Sequence, residues 1–343
     1  MIGISLLTLV PGELGGSETY ARELIRALLA HGELEYRIFL PRLVDDLPGE
    51  PVPEYAARRS IPGRLAEMSL AALRPRPIRR RLEAASAVHY PLTIALPEVD
   101  RPFAITLHDM LHRDLPFPRA EGLFRRLAYD RSARRAALVI VPSAFTAERS
   151  GLPAGRLRVV HHGIDHERFT PDGGLREPFL LYPARPWPHK NHARLFEALA
   201  LLRRDQPELR LVLTGGGHDS GPHPPGVEVR GLVSADELVS LYRRAAALVF
   251  PSLYEGFGAP PLEAMACGCP VACSNAAALP EIVGDAARLF DSTSPDEIAA
   301  AVEDVLARPD EWASRGLARA AAFTWAAAAR AHEQAYRELL TTQ

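Results

Sequence analysis

At 343 residues the chain exceeds a single domain of about 150, so its length favours two domains. With 47% hydrophobic and 24% charged residues it sits at globular averages, which excludes disordered, collagen-like and coiled-coil designs. Forty basic against 42 acidic side chains give a net charge of −2, arguing against wholesale nucleic-acid binding, and three cysteines without a disulfide framework fit a reducing compartment, the cytoplasm.

The opening apolar run, residues 2–10, is too short to span a bilayer and lacks a basic flank or small-residue cleavage site; it predicts a first strand. Residues 18–30 place Tyr20, Leu24 and Leu28 on one stripe with Ala21 and Ile25 beside it. That pattern predicts a helix, with Ser17 as its N-cap and His31-Gly32 as its stop. Short, mostly apolar runs at 36–40, 87–90, 103–107, 138–141 and 157–161 predict strands buried on both faces.

A breaker-rich stretch, Thr170-Pro171-Asp172-Gly173-Gly174, then predicts an interdomain linker over 170–178. Strands are predicted beyond it at 179–182, 209–213, 227–230, 247–251 and 270–273, and an alanine-rich last helix at 326–340. Alternating β and α segments imply parallel sheets. The expectation is an α/β protein of two facing Rossmann-like, doubly wound domains, 1–169 and 179–325. A C-terminal helix, 326–343, crosses back to the first domain. Ligands in such sheets bind beyond the C-terminal strand ends, here the cleft between domains. The halves differ in charge: residues 1–170 hold 24 arginines against 20 acids, and residues 171–343 hold 16 basic residues against 22 acids.

Of the basic residues only Lys190 is a lysine. Where arginine serves every ordinary surface charge, a lone lysine points to a site needing a compact ammonium, such as one that binds phosphate. It lies in Ala184-Arg185-Pro186-Trp187-Pro188-His189-Lys190-Asn191, a stiff loop between a strand end and a helix. Arg185 and Lys190 beside a helix N-terminus suit a diphosphate, since the helix end adds positive partial charge and free N–H groups. A second cluster is Glu255-Gly256-Phe257-Gly258-Ala259-Pro260-Pro261-Leu262-Glu263, again at a strand end. Its glycines let backbone N–H groups approach a ligand, and each carboxylate offers two acceptor oxygens to vicinal hydroxyls of a ribose or sugar ring.

Glu255-x7-Glu263 enclosing Gly-Phe-Gly, Arg185 and Lys190 upstream, and Gly15-Gly16 after the first strand resemble the retaining glycosyltransferases of family 4, which have the two-Rossmann GT-B fold. The resemblance covers nearly the whole chain, including Ile105-Thr106-Leu107-His108-Asp109, His161-His162-Gly163-Ile164-Asp165 and Arg230-Gly231-Leu232-Val233. It implies that Arg185 and Lys190 bind the donor diphosphate, Glu263 the ribose hydroxyls and Glu255 the hydroxyls of the transferred sugar. It also implies that backbone amides of Phe257, Gly258 and Leu262 meet sugar and phosphate, and that Arg230, Gly231 and Leu232 pass the nucleotide base. Gly15 and Gly16 would lie beneath the diphosphate, and His108 would face the donor sugar.

Breaking the C1–O bond leaves negative charge on the diphosphate, which Arg185 and Lys190 can stabilise without a metal; no Asp-x-Asp triplet occurs in the chain. Retention by front-face attack and by a covalent carboxylate intermediate both remain open. Cys267, Cys269 and Cys273 form an incomplete zinc set, and the pairs His108/His112 and His162/His166 start at strand ends rather than within helices. No cofactor is expected beyond the substrate, a GDP- or UDP-linked sugar, with GDP-mannose favoured. The acceptor is a saccharide, a lipid-linked sugar or a small molecule. The basic run Arg74, Arg76, Arg79, Arg80 and Arg81, with Arg125, Arg126, Arg131, Arg134 and Arg135, could draw the first domain to an anionic acceptor or to the inner membrane face. The alternatives are a catalytically silent sugar-nucleotide-binding subunit, and a UDP-GlcNAc-type transferase, epimerase or phosphorylase on the same fold.

Overall fold

The computed structural model describes residues 1–116, 119–218 and 222–341. The chain divides into two units, Met1–Gly163 with Trp325–Gln343, and Ile164–Thr324. Each is a parallel sheet with helical crossovers.

The first unit holds β1 (Ile2–Ser5), β2 (Tyr36–Pro41), β3 (Glu50–Val52), β4 (Ala87–Tyr90), β5 (Phe103–Thr106), β6 (Leu138–Val141) and β7 (Leu157–Val159). They lie in the order β3-β2-β1-β4-β5-β6-β7, all parallel. Because strand side chains alternate between faces, Ile2, Ile4, Ile38, Leu40, Ala104 and Ile140 build one core layer, and Phe39, Val88, Ile105, Val139 and Val141 the other. The Gly16–His31 helix packs on the former layer through Tyr20, Leu24 and Leu28, beside the Trp325–Thr341 helix. The Ile61–Leu73, Arg76–Leu82 and Arg119–Arg135 helices cover the latter.

The last helix is anchored by a buried carboxylate. Glu333 Oε1 accepts from the N–H of Glu33 (2.7 Å), the N–H of Leu34 (2.8 Å) and the Tyr36 hydroxyl. Burial pushes this carboxyl up, but the Tyr36 hydroxyl and the two N–H groups outweigh it and hold it below its ordinary range. Inside the unit, the Tyr20 hydroxyl meets Thr106 Oγ1 (2.8 Å) and His332 Nε2 (2.7 Å), and His89 joins Thr106 (2.9 Å) to Tyr336 (2.8 Å). Of the expected 326–343 helix, residues 342 and 343 lie outside the described residues.

The second unit holds β8 (Glu177–Pro183), β9 (Arg210–Thr214), β10 (Val227–Gly231), β11 (Ala245–Phe250), β12 (Val271–Ser274) and β13 (Arg288–Phe290), in the order β10-β9-β8-β11-β12-β13. Its two ends are tied together, Ile164 N–H donating to the Phe323 carbonyl at 2.9 Å. The stretch 170–178 expected as a linker lies inside this unit, where Arg243 Nε donates to the Thr170 carbonyl at 2.7 Å and β8 already begins at Glu177.

Local differences from the sequence expectations have local causes. The first strand ends at Ser5 because the chain turns after it, so the buried residues Leu6, Leu7, Leu9 and Val10 belong to a loop rather than to strand. The N-cap of the following helix is Gly15, with φ 56°, and Ser17 lies within its first turn. The edge strands β3 and β13 are three residues each, too short to show a hydrophobic period.

Candidate active site

β8 and β11 are parallel neighbours, with Leu180 opposite Ala247 and Leu181 opposite Leu248. The loops that leave their C-terminal ends therefore start side by side. From this pair the sheet runs outward through β9 and β10 on one side and β12 and β13 on the other. A doubly wound sheet opens a crevice where its winding reverses in this way.

Arg185 and Lys190 lie on the loop after β8, and Glu255 on the loop after β11. The first loop is locally rigid: Trp187 N–H donates to the Arg185 carbonyl and Lys190 N–H to the Trp187 carbonyl, both at 2.8 Å. Asn191 ends it in the left-handed region (φ 59°) and donates through Nδ2 to the carbonyls of Pro251 (3.2 Å) and Ser292 (2.7 Å). The Tyr182 hydroxyl donates to the Lys190 carbonyl at 2.6 Å, and Leu253 N–H to the His189 carbonyl at 2.8 Å. These bonds lock the two loops to each other.

Lys190 Nζ donates to Glu255 Oε1 at 2.5 Å, the two side chains being only 14% and 15% exposed. The family resemblance implies separate ligands for them, diphosphate and sugar, yet the side chains touch. The carboxylate thus orients the ammonium, which keeps two further N–H donors. The Lys190 ammonium also lies 5.6 Å from the centre of the Phe250 ring. Arg185 stacks its guanidinium 5.6 Å over Trp187 and, among the described residues, has no carboxylate within ion-pair distance. Its donors remain available for an anion.

Gly258 caps the Ala259–Ala266 helix with φ 96°. The backbone conformation requires glycine, and a Cβ there would stand 2.5 Å from Leu279 Cδ2, so that side chain would also have to shift. Pro260 and Pro261 occupy the next positions and remove two N–H groups that the helix could not itself satisfy. Phe257 is buried against Phe323, ring centres 6.1 Å apart, and the Leu262 side chain is fully buried, so these two offer backbone only. Glu263 lies one turn in, and its Oε2 accepts from the Tyr242 hydroxyl at 2.9 Å. Burial pushes its carboxyl up to about 7, against the opposing pull of that hydrogen bond.

Arg230 is paired with Glu228 at 2.5 Å, and Gly231 (φ 64°) sits at an irregularity of β10, leaving Leu232 exposed over Gly216. Sequence reasoning missed the turn beneath them. Gly215 (φ 111°) donates to the Gly231 carbonyl at 2.7 Å, and a Cβ on it would lie 3.1 Å from the Ala184 backbone. His218 Nε2–H donates to the Ala184 carbonyl at 2.7 Å. This turn sets the course of the Arg185 backbone. Its signal is Thr214-Gly215-Gly216-Gly217 after a predicted strand, whereas nothing in the sequence marks Tyr242 as the partner of Glu263.

In the first unit, Gly15 and Gly16 start the Gly16–His31 helix, and no atom lies within 4 Å of a Cβ placed on either. Conformation, not space, selects Gly15. Glu18 in the first turn accepts from Gly12 N–H (2.8 Å) and from Arg22 (3.0 Å). His108, after β5, donates from Nε2 to the Pro91 carbonyl at 2.8 Å, leaving Nδ1 unprotonated. Burial lowers its pKa, and Tyr20 packs edge-on at 4.9 Å. Cys267, Cys269 and Cys273 are reduced and buried, and among the described residues no three His, Cys, Asp or Glu side chains group closely enough for a metal ion.

Two family models match consecutive stretches: "Glycosyltransferase Family 4" over residues 14–168 and "Glycosyl transferases group 1" over residues 165–320. The chain is 38% identical to the O-antigen chain mannosyltransferase B of Escherichia coli over 162 residues, 43% of this chain and 42% of that protein. It is 31% identical to a GDP-mannose-dependent alpha-(1-6)-phosphatidylinositol monomannoside mannosyltransferase of Mycolicibacterium smegmatis, over 59% of this chain and 60% of that one. The matches thus span about half the length of these relatives. Among solved structures, a sucrose-phosphate synthase from Thermosynechococcus elongatus superposes with a TM-score of 0.79 at 21% identity, covering 100% of this chain and 99% of its own. The fold is that of the GT-B glycosyltransferases, and the two glycosyltransferase models together cover residues 14 to 320: the chain belongs to the group 1, family 4 glycosyltransferases.

Proposed function

We propose that the chain is a retaining, metal-independent hexosyltransferase. It moves a mannose- or glucose-type hexose from a nucleotide diphosphate sugar to a saccharide, lipid-linked or small-molecule acceptor. The observation that carries this reading is the Lys190–Glu255 contact where β8 and β11 end. Arg185 lies on the same loop as Lys190, and Glu263 on the helix that follows Glu255. When the C1–O bond of the donor breaks, its electron pair stays on the diphosphate oxygen. The acceptor oxygen bonds to C1 and its proton passes to the departing phosphate. Negative charge develops on that phosphate, where a positioned ammonium, a guanidinium and a helix N-terminus stabilise it most. Glu255 then holds sugar hydroxyls while aiming Lys190, and Glu263 holds the ribose.

GDP-mannose is the favoured donor, supported by two relatives named as mannosyltransferases, one of them GDP-mannose-dependent. The phosphatidylinositol-linked acceptor in the latter's name supports a lipid-linked acceptor here, reached by a cytoplasmic protein held at the membrane through basic residues of its first unit. No helix among the described residues is long and apolar enough to cross a membrane.

The test is a panel of UDP-, GDP-, ADP- and dTDP-sugars read by thermal shift and by donor hydrolysis, with and without chelator. GDP-mannose is expected to raise Tm and to be consumed equally in both. Binding without turnover, with every acceptor offered, would make the chain a silent subunit; no shift with any donor ends the reading.

A further inference from the structure

The Ile61–Leu73 helix turns the wrong face outward. A surface helix ordinarily shows its polar face to water. Here the exposed positions are Pro62, Leu65, Ala66, Ser69, Leu70, Ala72 and Leu73, and none carries a charge. Both charged residues of the helix are tied along its flank. Glu67 accepts from the N–H groups of Ala56 (2.9 Å) and Arg58 (3.3 Å), and Arg64 donates to the Arg59 carbonyl at 3.1 Å. The Arg119–Arg135 helix adds Leu123 and Leu127, one turn apart and exposed. These five leucines are 45% to 81% exposed. Both helices pack on the same sheet layer, through Ala71 on one and Ala133 on the other. Their outer sides therefore face the same way, opposite to the layer that carries the Gly16–His31 and Trp325–Thr341 helices.

Next to the leucines stand cations without counterions. Arg74, Arg76, Arg80 and Arg126 are exposed and, among the described residues, form no ion pair, whereas Arg79 is paired with Asp100 and Arg81 with Glu54. The nearby carboxylates are thus occupied: Glu54 and Asp100 by those arginines, Glu67 by backbone, and Glu83 by the Asp100 N–H. An apolar stripe rimmed by uncompensated arginines matches a surface that is apolar within and anionic at its boundary. A second copy fits poorly, because a two-fold contact would set Arg74, Arg76 and Arg80 against themselves.

We propose that this layer of the first unit docks on an anionic lipid bilayer, with Leu65, Leu70 and Leu73 entering the acyl boundary and Arg74, Arg76 and Arg80 meeting the headgroups. This deepens the membrane contact proposed above, which required charge alone, and it is independent of donor identity.

The test uses the full chain and sedimenting vesicles of phosphatidylcholine, with or without phosphatidylglycerol. Binding is expected only with phosphatidylglycerol and should weaken with salt. Leu70→Glu/Leu73→Glu should lower the partition coefficient at least about tenfold, and Arg74→Ser/Arg76→Ser/Arg80→Ser should do so while flattening the salt dependence. Leu73→Trp should show a blue-shifted emission on binding. Both multiple variants should keep the wild-type Tm and donor hydrolysis, since they lie outside the donor site; a chain that hydrolyses no donor but still binds vesicles would sink the transferase reading alone. If the leucine variant binds as well as wild type while the arginine variant does not, insertion is refuted and only the charge contact survives. Absence of vesicle binding by the wild type overturns both. Concentration-dependent dimerisation abolished by Leu70→Glu would assign the face to a second copy instead.

Discussion

Removing the Lys190 ammonium should cost the reaction far more than it costs the fold. A unit charge about 4 Å from the developing phosphate charge is worth about 4 kcal/mol at an effective dielectric of about 20. Glu255, 2.5 Å from Nζ, cancels part of that field. A net loss of roughly 2–3 kcal/mol remains, so Lys190→Ala should lower kcat/KM about 30- to 160-fold. The same change leaves a mostly buried carboxylate without its partner, which lowers Tm. Lys190→Ala/Glu255→Gln removes that second effect, so Tm should recover while kcat/KM stays low. Lys190→Arg keeps the charge but replaces a compact ammonium with a broad planar fork beside Phe250, and it too should lose activity. Steady-state kinetics on the best donor, with Tm for each variant, decide the matter. Activity within threefold of wild type in Lys190→Ala, or recovered activity in the double variant, would refute the role given to this lysine. Full activity in Lys190→Arg would refute the need for an ammonium.

Glu263 gives a pH signature. Its carboxyl is held at about 7 in the fold against an ordinary 4.5, so its stabilising contribution is full below 4.5 and is lost as pH climbs through 7. Donor affinity should move the opposite way, tightening from about one unit below that value to about one unit above it as the carboxylate forms; a pH-independent donor Kd, or one unaltered by Glu263→Gln, counts against the assignment. Gly258→Ala forces a left-handed conformation on a residue with a side chain and drives Cβ against Leu279, at a cost of about 1–3 kcal/mol. Calorimetry should show a lowered Tm, and an unchanged one would mean that the helix start adjusts freely. Glu333→Ala strands the Glu33 and Leu34 N–H groups and the Tyr36 hydroxyl, and should lower unfolding free energy by about 3 kcal/mol in urea titrations. An unaltered midpoint would show that water replaces the carboxylate without loss.

Several elements are legible in the sequence because their signal is local. The strands at 87–90 and 138–141 appear with those bounds, since four consecutive mostly apolar residues, buried on both faces, need no partner to be recognised. The first helix follows its stripe of Tyr20, Leu24 and Leu28, but its start does not follow Ser17. Gly15 in the left-handed region lets the helix begin earlier, a backbone choice that composition does not reveal. The apolar outer face of the Ile61–Leu73 helix is equally hidden, because which side of a helix meets the sheet depends on packing that arises far along the chain.

What the amino-acid order determined by itself was the alternation of strand and helix, the proline-stiffened and the glycine-bearing strand ends, and the residue types waiting there: one lysine, one arginine, two glutamates. Each depends on neighbours within a few positions, so periodicity and residue chemistry suffice. What only the tertiary structure decided was who meets whom. Lys190 reaches Glu255 because β8 and β11 pair side by side, which brings residues 65 apart in the chain together, and Glu263 is held near 7 because the surrounding core excludes water from it, against the downward pull of the Tyr242 hydrogen bond. Contacts between distant segments, and the desolvation that tunes a carboxyl, are set by the packed whole.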